Sequence, residues 1–354
     1  MELSNHRIYT LDALKFFAAI GIVFHHYQQV TGAIFPKFNF CGGRIYFGYL
    51  VELFFILSGF FMSAHKKNNN NQNFRQFLLT KIIRLYPMAM ISVAVFCIAA
   101  WIFRLLSGYW WENNIIGIWK AFVSLLLIHS GGVVSNIGIA ANNPTWYLCV
   151  LLICYILYWL MIWFAEKQKI TPFYFFVLGM FIGIGIGSFG INLPFFNGST
   201  ARGYIGFFWG IILNYFLSSE LSKSKIKALS FFVLSLCIAA WLIDADELYD
   251  NFSMILVYLI YPSIIIMMLT SKILNWLFNR KIFGILGRIS YEMYLWHSPI
   301  MAIFAVLIYL INYHPNYTYC SMILFTVLVF IVSVWMYYRI EIPITKWINK
   351  EVSR

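Results

Sequence analysis

The 354-residue chain is 62% hydrophobic and 20% aromatic, and only 11% of its residues are charged, with a mean hydropathy of +0.77; this excludes an ordinary soluble domain. The formal net charge is +12, yet the basic residues lie at the ends of apolar segments rather than in one patch. Membrane topology accounts for them, and nucleic acid is not an expected partner.

The apolar segments run about 17 to 23 residues between short polar loops, the length a helix needs to cross roughly 30 Å of hydrocarbon. Transmembrane β-strands give weaker, alternating segments. The predicted fold is therefore all-α, a single polytopic transmembrane helix bundle with about ten spans, near 11–30, 46–64, 85–106, 146–165, 173–191, 203–218, 227–243, 252–270, 289–311 and 319–339. With a cytoplasmic N-terminus, only Lys37, Arg44, Arg104, Lys120 and Arg202 of the 25 basic residues face outward. That asymmetry puts both termini in the cytoplasm. A segment near 115–131 is also apolar, but as a span it inverts every later loop, so it is expected to be interfacial or re-entrant. The acidic run Asp244, Asp246, Glu247 and Asp250 then faces outward. No cleavable signal and no appended soluble domain are expected. Cys41, Cys97, Cys149, Cys154, Cys237 and Cys320 show no metal-ligand spacing, so no metal site is expected.

The first span buries Asp12, Lys15, His25 and His26. Ionisable groups inside a bilayer are costly and mark function. Eleven residues are nearly three helical turns, so Lys15 and His26 share a face about 16 Å apart along the axis, while His25 points about 80° away. Asp12 adds a carboxylate one turn before Lys15. Glu52 in the second span needs a partner, for which His26 and Lys15 are candidates. The polar stretch Lys66 to Asn73 reads as a flexible loop. It leads into Lys81-Ile-Ile-Arg84-Leu-Tyr-Pro87, two cations on one face beside the expected helix start, where backbone N–H groups also favour anions. With Lys66, Lys67 and Arg75 they form a candidate phosphate site, although cytoplasmic loops are cationic in general.

Arg202 precedes an outward-facing span start, and Gly206 and Gly210 behind it let another helix approach closely. In span nine, Tyr291, Tyr294 and His297 follow one another at i, i+3 steps on one face. Arg339 beside Glu341 offers local neutralisation before Pro343. There is no Walker A loop, GxSxG elbow or HExxH motif.

These residues resemble the membrane acyltransferase-3 family. LDALKFFAAIGIVFHH resembles its opening helix, in which a basic residue precedes a His by eleven positions, here Lys15 and His26. VELFFILSGFFM, KIIRLYP, PTWYL at 144–148, ARGYIGFFWGI at 201–211, LGRISYEMYLWHSPI at 286–300 and RIEIP at 339–343 resemble later family segments in order. Many members carry Arg where this chain has Lys15 and Lys81, which replaces bidentate phosphate recognition with a point charge. Many glycan-modifying members also carry a Glu where this chain has Leu151.

The resemblance implies an O-acetyltransferase of the bacterial cytoplasmic membrane. Its donor is acetyl-CoA, and its acceptor is a hydroxyl of a cell-surface polysaccharide or lipid-linked glycan precursor. The expected catalytic residues are His26, Lys15 and Glu52, the expected CoA-binding residues Lys81 and Arg84, and the expected substrate-binding residues Arg202, Trp146, Tyr294 and His297. The alternative expectation is a proton-coupled transporter using Asp12, Lys15, His26 and Glu52 as a relay.

Overall fold

The computed structural model describes residues 7–35, 39–41, 46–64, 73–134, 140–218, 223–242 and 252–352. The Asn-rich loop with Lys66 and Lys67, and the acidic run from Asp244 to Asp250, lie outside the described residues. Among the described residues every extended element is a helix. In chain order they are α1 (Tyr9–Thr31), α2 (Leu50–Ala64), α3 (Phe74–Ser107), α4 (Ile118–Leu125), α5 (Trp146–Gln168), α6 (Phe173–Phe189), α7 (Gly198–Ser218) and α8 (Lys223–Leu242). They continue with α9 (Phe252–Ile255), α10 (Tyr261–Thr270), α11 (Lys272–Phe278), α12 (Lys281–Leu310), α13 (Tyr319–Met336) and α14 (Ile342–Val352).

Five of these are long and apolar enough to cross a membrane: Phe47–Ala64, Phe74–Ser107, Asn143–Gln168, Lys281–Leu310 and Tyr319–Val352. A sixth is formed if Leu256–Thr270 and Lys272–Phe278, bent by 80°, count as one broken span. The predicted span near 252–270 is thus interrupted, first by a π turn at Leu256–Ile260 and then by the bend at Ser271. Segment 115–131 contains only the eight-residue α4, about 12 Å long and too short to cross. The helix predicted from 85 begins at Phe74, because Asn73 and Gln76 close a capping box ahead of it. Lys81 and Arg84 therefore lie inside α3 and not at its N-terminus, and the expected help from free backbone N–H groups is absent there.

The bundle is built by α1 against α12, α2 against α7, α6 against α7, and α3 and α13 against α12. Its core holds Ile22, Phe55, Leu148, Phe207 and Met293, all under 2% exposed. The α2–α7 contact is backbone on backbone. A Cβ on Gly210 would lie 1.9 Å from the Ile56 carbonyl oxygen, and one on Gly59 would lie 1.8 Å from that of Phe207. The small residues predicted to admit a helix do so here. A Cβ on Gly287 would meet the Asp12 side chain at 2.5 Å. Gly287 faces Asp12 and His297 faces His26, so α1 and α12 run in the same direction.

Candidate active site

His26 sits on α1 five residues before its end. Its Nδ1 donates to Gln29 Oε1 at 2.8 Å; a carbonyl can only accept, so the proton is on Nδ1 and Nε2 carries the lone pair. The His26 ring stacks on that of His297, with centroids 4.9 Å apart and planes 23° from parallel. His297 Nδ1 donates to the Met293 carbonyl at 3.1 Å, and its buried Nε2 has no partner. Two imidazoles from α1 and α12 therefore present basic nitrogens in one place.

His25 is used differently. It is 3% exposed and donates Nδ1–H to the Phe40 carbonyl at 3.1 Å, and its ring abuts Tyr46. Gln28 accepts the Phe40 amide at 2.6 Å, so two α1 side chains hold the same loop residue. That leaves His26 as the ring facing the second histidine.

Glu52 is paired neither with His26 nor with Lys15, the partners expected from sequence. Its two carboxylate oxygens take Nε and Nη2 of Arg202, and Nη2 also reaches the Gly48 carbonyl at 3.2 Å. The partner stands 150 positions away in sequence, where no local spacing points to it. The guanidinium lies over Trp146 at 4.7 Å and near Tyr49 at 5.9 Å, so Trp146 and Arg202 do converge. Tyr294 neighbours His297, with ring centroids 6.2 Å apart, but its hydroxyl donates to the Pro144 carbonyl at 2.6 Å. It contributes an aromatic wall and not a free donor.

Near the start of α1, Lys15 bonds Asp12 at 3.4 Å and lies 4.0 Å over the Phe61 ring; Asp12 also binds Arg7. Lys81 lies over Phe77 and Tyr155. Arg84 is close enough to Lys15, Lys81 and Tyr155 to act on each electrostatically. Three cations from α1 and α3 thus gather about three turns from His26. The four groups of the transporter relay do not form a chain: Asp12 bonds Lys15 and Arg7, whereas Glu52 bonds Arg202.

Sequence reasoning missed Gln29, although its i, i+3 relation to His26 is readable. It also missed His129, whose ring nitrogens lie 3.5 and 3.6 Å from Cys149 Sγ in the loop after α4. Burial lowers the His129 imidazole to about 4. Expected neutralisation of Glu341 by Arg339 is not formed among the described residues, where the buried Glu341 Oε2 has no hydrogen-bond partner. No group of three metal-ligating side chains occurs among the described residues.

A helical membrane protein that sets an imidazole base against a distant cation cluster has the parts of a group-transfer site. The chain belongs to the acyltransferase-3 family, whose acyltransferase domain matches residues 8–338. It is similar to the O-acetyltransferase OatA of Staphylococcus aureus strains NCTC 8325 / PS 47, COL and MRSA252. Each is 23% identical over 376 residues, covering 95% of this chain and 57% of the relative. The chain therefore spans little more than half the length of the relatives it matches. No solved structure matches it.

Proposed function

We propose that this chain is an integral-membrane O-acyltransferase that moves acetyl from cytoplasmic acetyl-CoA to a hydroxyl of a cell-surface polysaccharide or lipid-linked glycan precursor. The observation that carries the reading is the His26–His297 stack, in which both Nδ1 protons are committed to carbonyls and both Nε2 atoms are left basic. The family supplies acyl transfer, and the relatives' name supplies O-acetylation and a bacterial source.

In this reading the bundle has ten spans in the bacterial cytoplasmic membrane, with both termini and the α1 N-terminal end cytoplasmic. Lys15, Lys81 and Arg84 bind the CoA phosphates, and the thioester arm extends along α1 toward His26, about 16 Å away. His26 Nε2 takes the proton of the acceptor hydroxyl as it attacks the thioester carbonyl. Arg202, clamped by Glu52 over Trp146, supplies a polar and aromatic surface for the acceptor, and Tyr294 and His297 line its other side. Glu52 then acts by positioning Arg202.

The test is transfer of labelled acetyl from acetyl-CoA into the glycan fraction of membranes carrying wild type, His26→Ala or Arg84→Ala at equal expression. Loss of label in His26→Ala and a raised KM for acetyl-CoA in Arg84→Ala are expected. Wild-type membranes that incorporate no label with several candidate glycans would overturn the reading.

A further inference from the structure

Beside the Arg202–Glu52 pair, three polar groups have no hydrogen-bond partner among the described residues: Nη1 of Arg202 and the hydroxyls of Tyr46 and Tyr49. Their residues meet at Gly48, in the short 3-10 turn Phe47–Tyr49 that leads into α2. The Gly48 carbonyl accepts Arg202 Nη2 at 3.2 Å. A Cβ on Gly48 would lie 2.7 Å from Cε1 and 2.9 Å from Cζ of Tyr46, and 3.1 Å from its hydroxyl oxygen. The phenol of Tyr46 therefore lies against the backbone that holds the guanidinium, in a place that only a glycine leaves open.

Ring contacts carry this group to the histidines. Tyr46 stands edge-on to Tyr49 and to His25, with centroids 5.0 Å apart in each case, and His25 stands edge-on to His26, also at 5.0 Å. On the far side the guanidinium lies 5.9 Å from the Tyr49 ring and 4.7 Å from that of Trp146. Tyr46 thus stands between the Arg202–Trp146 surface and the imidazole pair. Tyr46, Tyr49 and Trp146 are all half-buried, neither sealed in the core nor fully open.

Hydroxyl and N–H groups drawn out of water without partners are costly, and a ligand that supplies acceptors relieves that cost. The weakly positive C–H face of a pyranose matches the negative face of an aromatic ring, and its hydroxyls both donate and accept. Glu52 already balances the charge of Arg202, so an uncharged ring suits the place better than an anionic one. Resting on the function proposed above, we infer that Tyr46 and Tyr49 join Trp146 in binding the acceptor as an uncharged pyranose. Tyr46 sets the selectivity of that subsite: its hydroxyl donates to a sugar oxygen while the reacting hydroxyl reaches His26.

The test is transfer of labelled acetyl, at saturating acetyl-CoA, to the methyl pyranosides of glucose, galactose and N-acetylglucosamine and to glycerol, which has hydroxyls but no ring. The full chain in proteoliposomes is used as wild type, Tyr46→Phe and Gly48→Ala. Wild type is expected to prefer a pyranoside to glycerol. Tyr46→Phe removes one hydrogen bond, so kcat/KM for the preferred pyranoside should fall about fivefold through KM, with a smaller change for glycerol and none in KM for acetyl-CoA. Gly48→Ala keeps the hydroxyl but displaces the ring, and should lose the same preference. A wild type that does not favour pyranosides, an undiminished preference in Tyr46→Phe, or equal losses with pyranoside and glycerol would overturn the inference and leave the acyltransferase reading standing. A wild type that labels neither the added alcohols nor the membrane glycan fraction would overturn the proposed function, and the inference with it.

Discussion

Replacing Gln29 by Ala removes the acceptor that keeps the His26 proton on Nδ1. A neutral imidazole without that partner divides between two tautomers, and only one leaves Nε2 basic. The lost bond is 2.8 Å long and lies at the exposed end of α1, so about 1 kcal/mol is the appropriate value for its net contribution. That corresponds to roughly a fivefold fall in kcat. His26→Ala, which removes the base itself, is expected to cost roughly 10² to 10⁴. Gln29→Glu keeps an oxygen acceptor at the same reach and should restore most of the rate. The assay is initial-rate acetyl transfer in proteoliposomes at saturating acetyl-CoA, with KM measured in parallel. Gln29→Ala at the wild-type rate, or Gln29→Glu as slow as Gln29→Ala, would refute tautomer control by this residue.

Gly210→Ala must push the Ile56 carbonyl from 1.9 Å out to the 3.4 Å of ordinary contact, so loss of folded protein in detergent is expected, whereas Gly185→Ala, whose Cβ meets nothing within 4 Å, should be tolerated; size-exclusion profiles of the two variants decide this. Arg202→Ala strands the Glu52 carboxylate, whose side chain is only 4% exposed. Because the Arg202 side chain is 38% exposed, a loss at the low end of the range for a broken buried pair, about 3 kcal/mol, is expected in thermal unfolding. Adding Glu52→Gln should recover part of it, and strict additivity of the two changes would contradict the pairing. His129, with its imidazole lowered from 6.5 to about 4, contributes full stability above pH 6.5 and loses it as pH falls toward 4, by roughly 3 kcal/mol. His129→Gln should flatten the melting temperature across that window, and an unchanged slope would exclude His129 as its source.

The sequence carried what is local. Lys15 and His26 are placed by helical spacing alone, and the close approach at Gly210 follows from small residues one turn apart. The apolar lengths identify helices, but the polar residues of α1 and the bend at Ser271 keep several from qualifying as spans by composition. What was illegible is contact between distant segments. Nothing near Glu52 names Arg202, because that neighbour arrives by packing. Arg339, two residues away, was the natural guess for Glu341, but both lie in the π turn Tyr337–Glu341 and form no ion pair. The Lys81–Arg84 pair was read correctly as one helix face and wrongly as a helix start, since the capping signal of Asn73 and Gln76 lies just upstream of it.

The glycine-lined seam between α2 and α7 has a bearing on motion. Backbones in direct contact cannot slide past one another in small steps, since every displacement drives a carbonyl into the facing chain, and packed interfaces of this kind shift between discrete registers or not at all. The Arg202–Glu52 bond ties the same two helices together a little further along. The pair forms one body that carries the guanidinium, and Trp146 of α5 packs against that group. Any rearrangement of the bundle must therefore take place around this seam. At Ser271, where α10 turns into α11 through 80°, the helix is already broken among the described residues, so a change of angle there disrupts no continuous helical hydrogen-bond ladder.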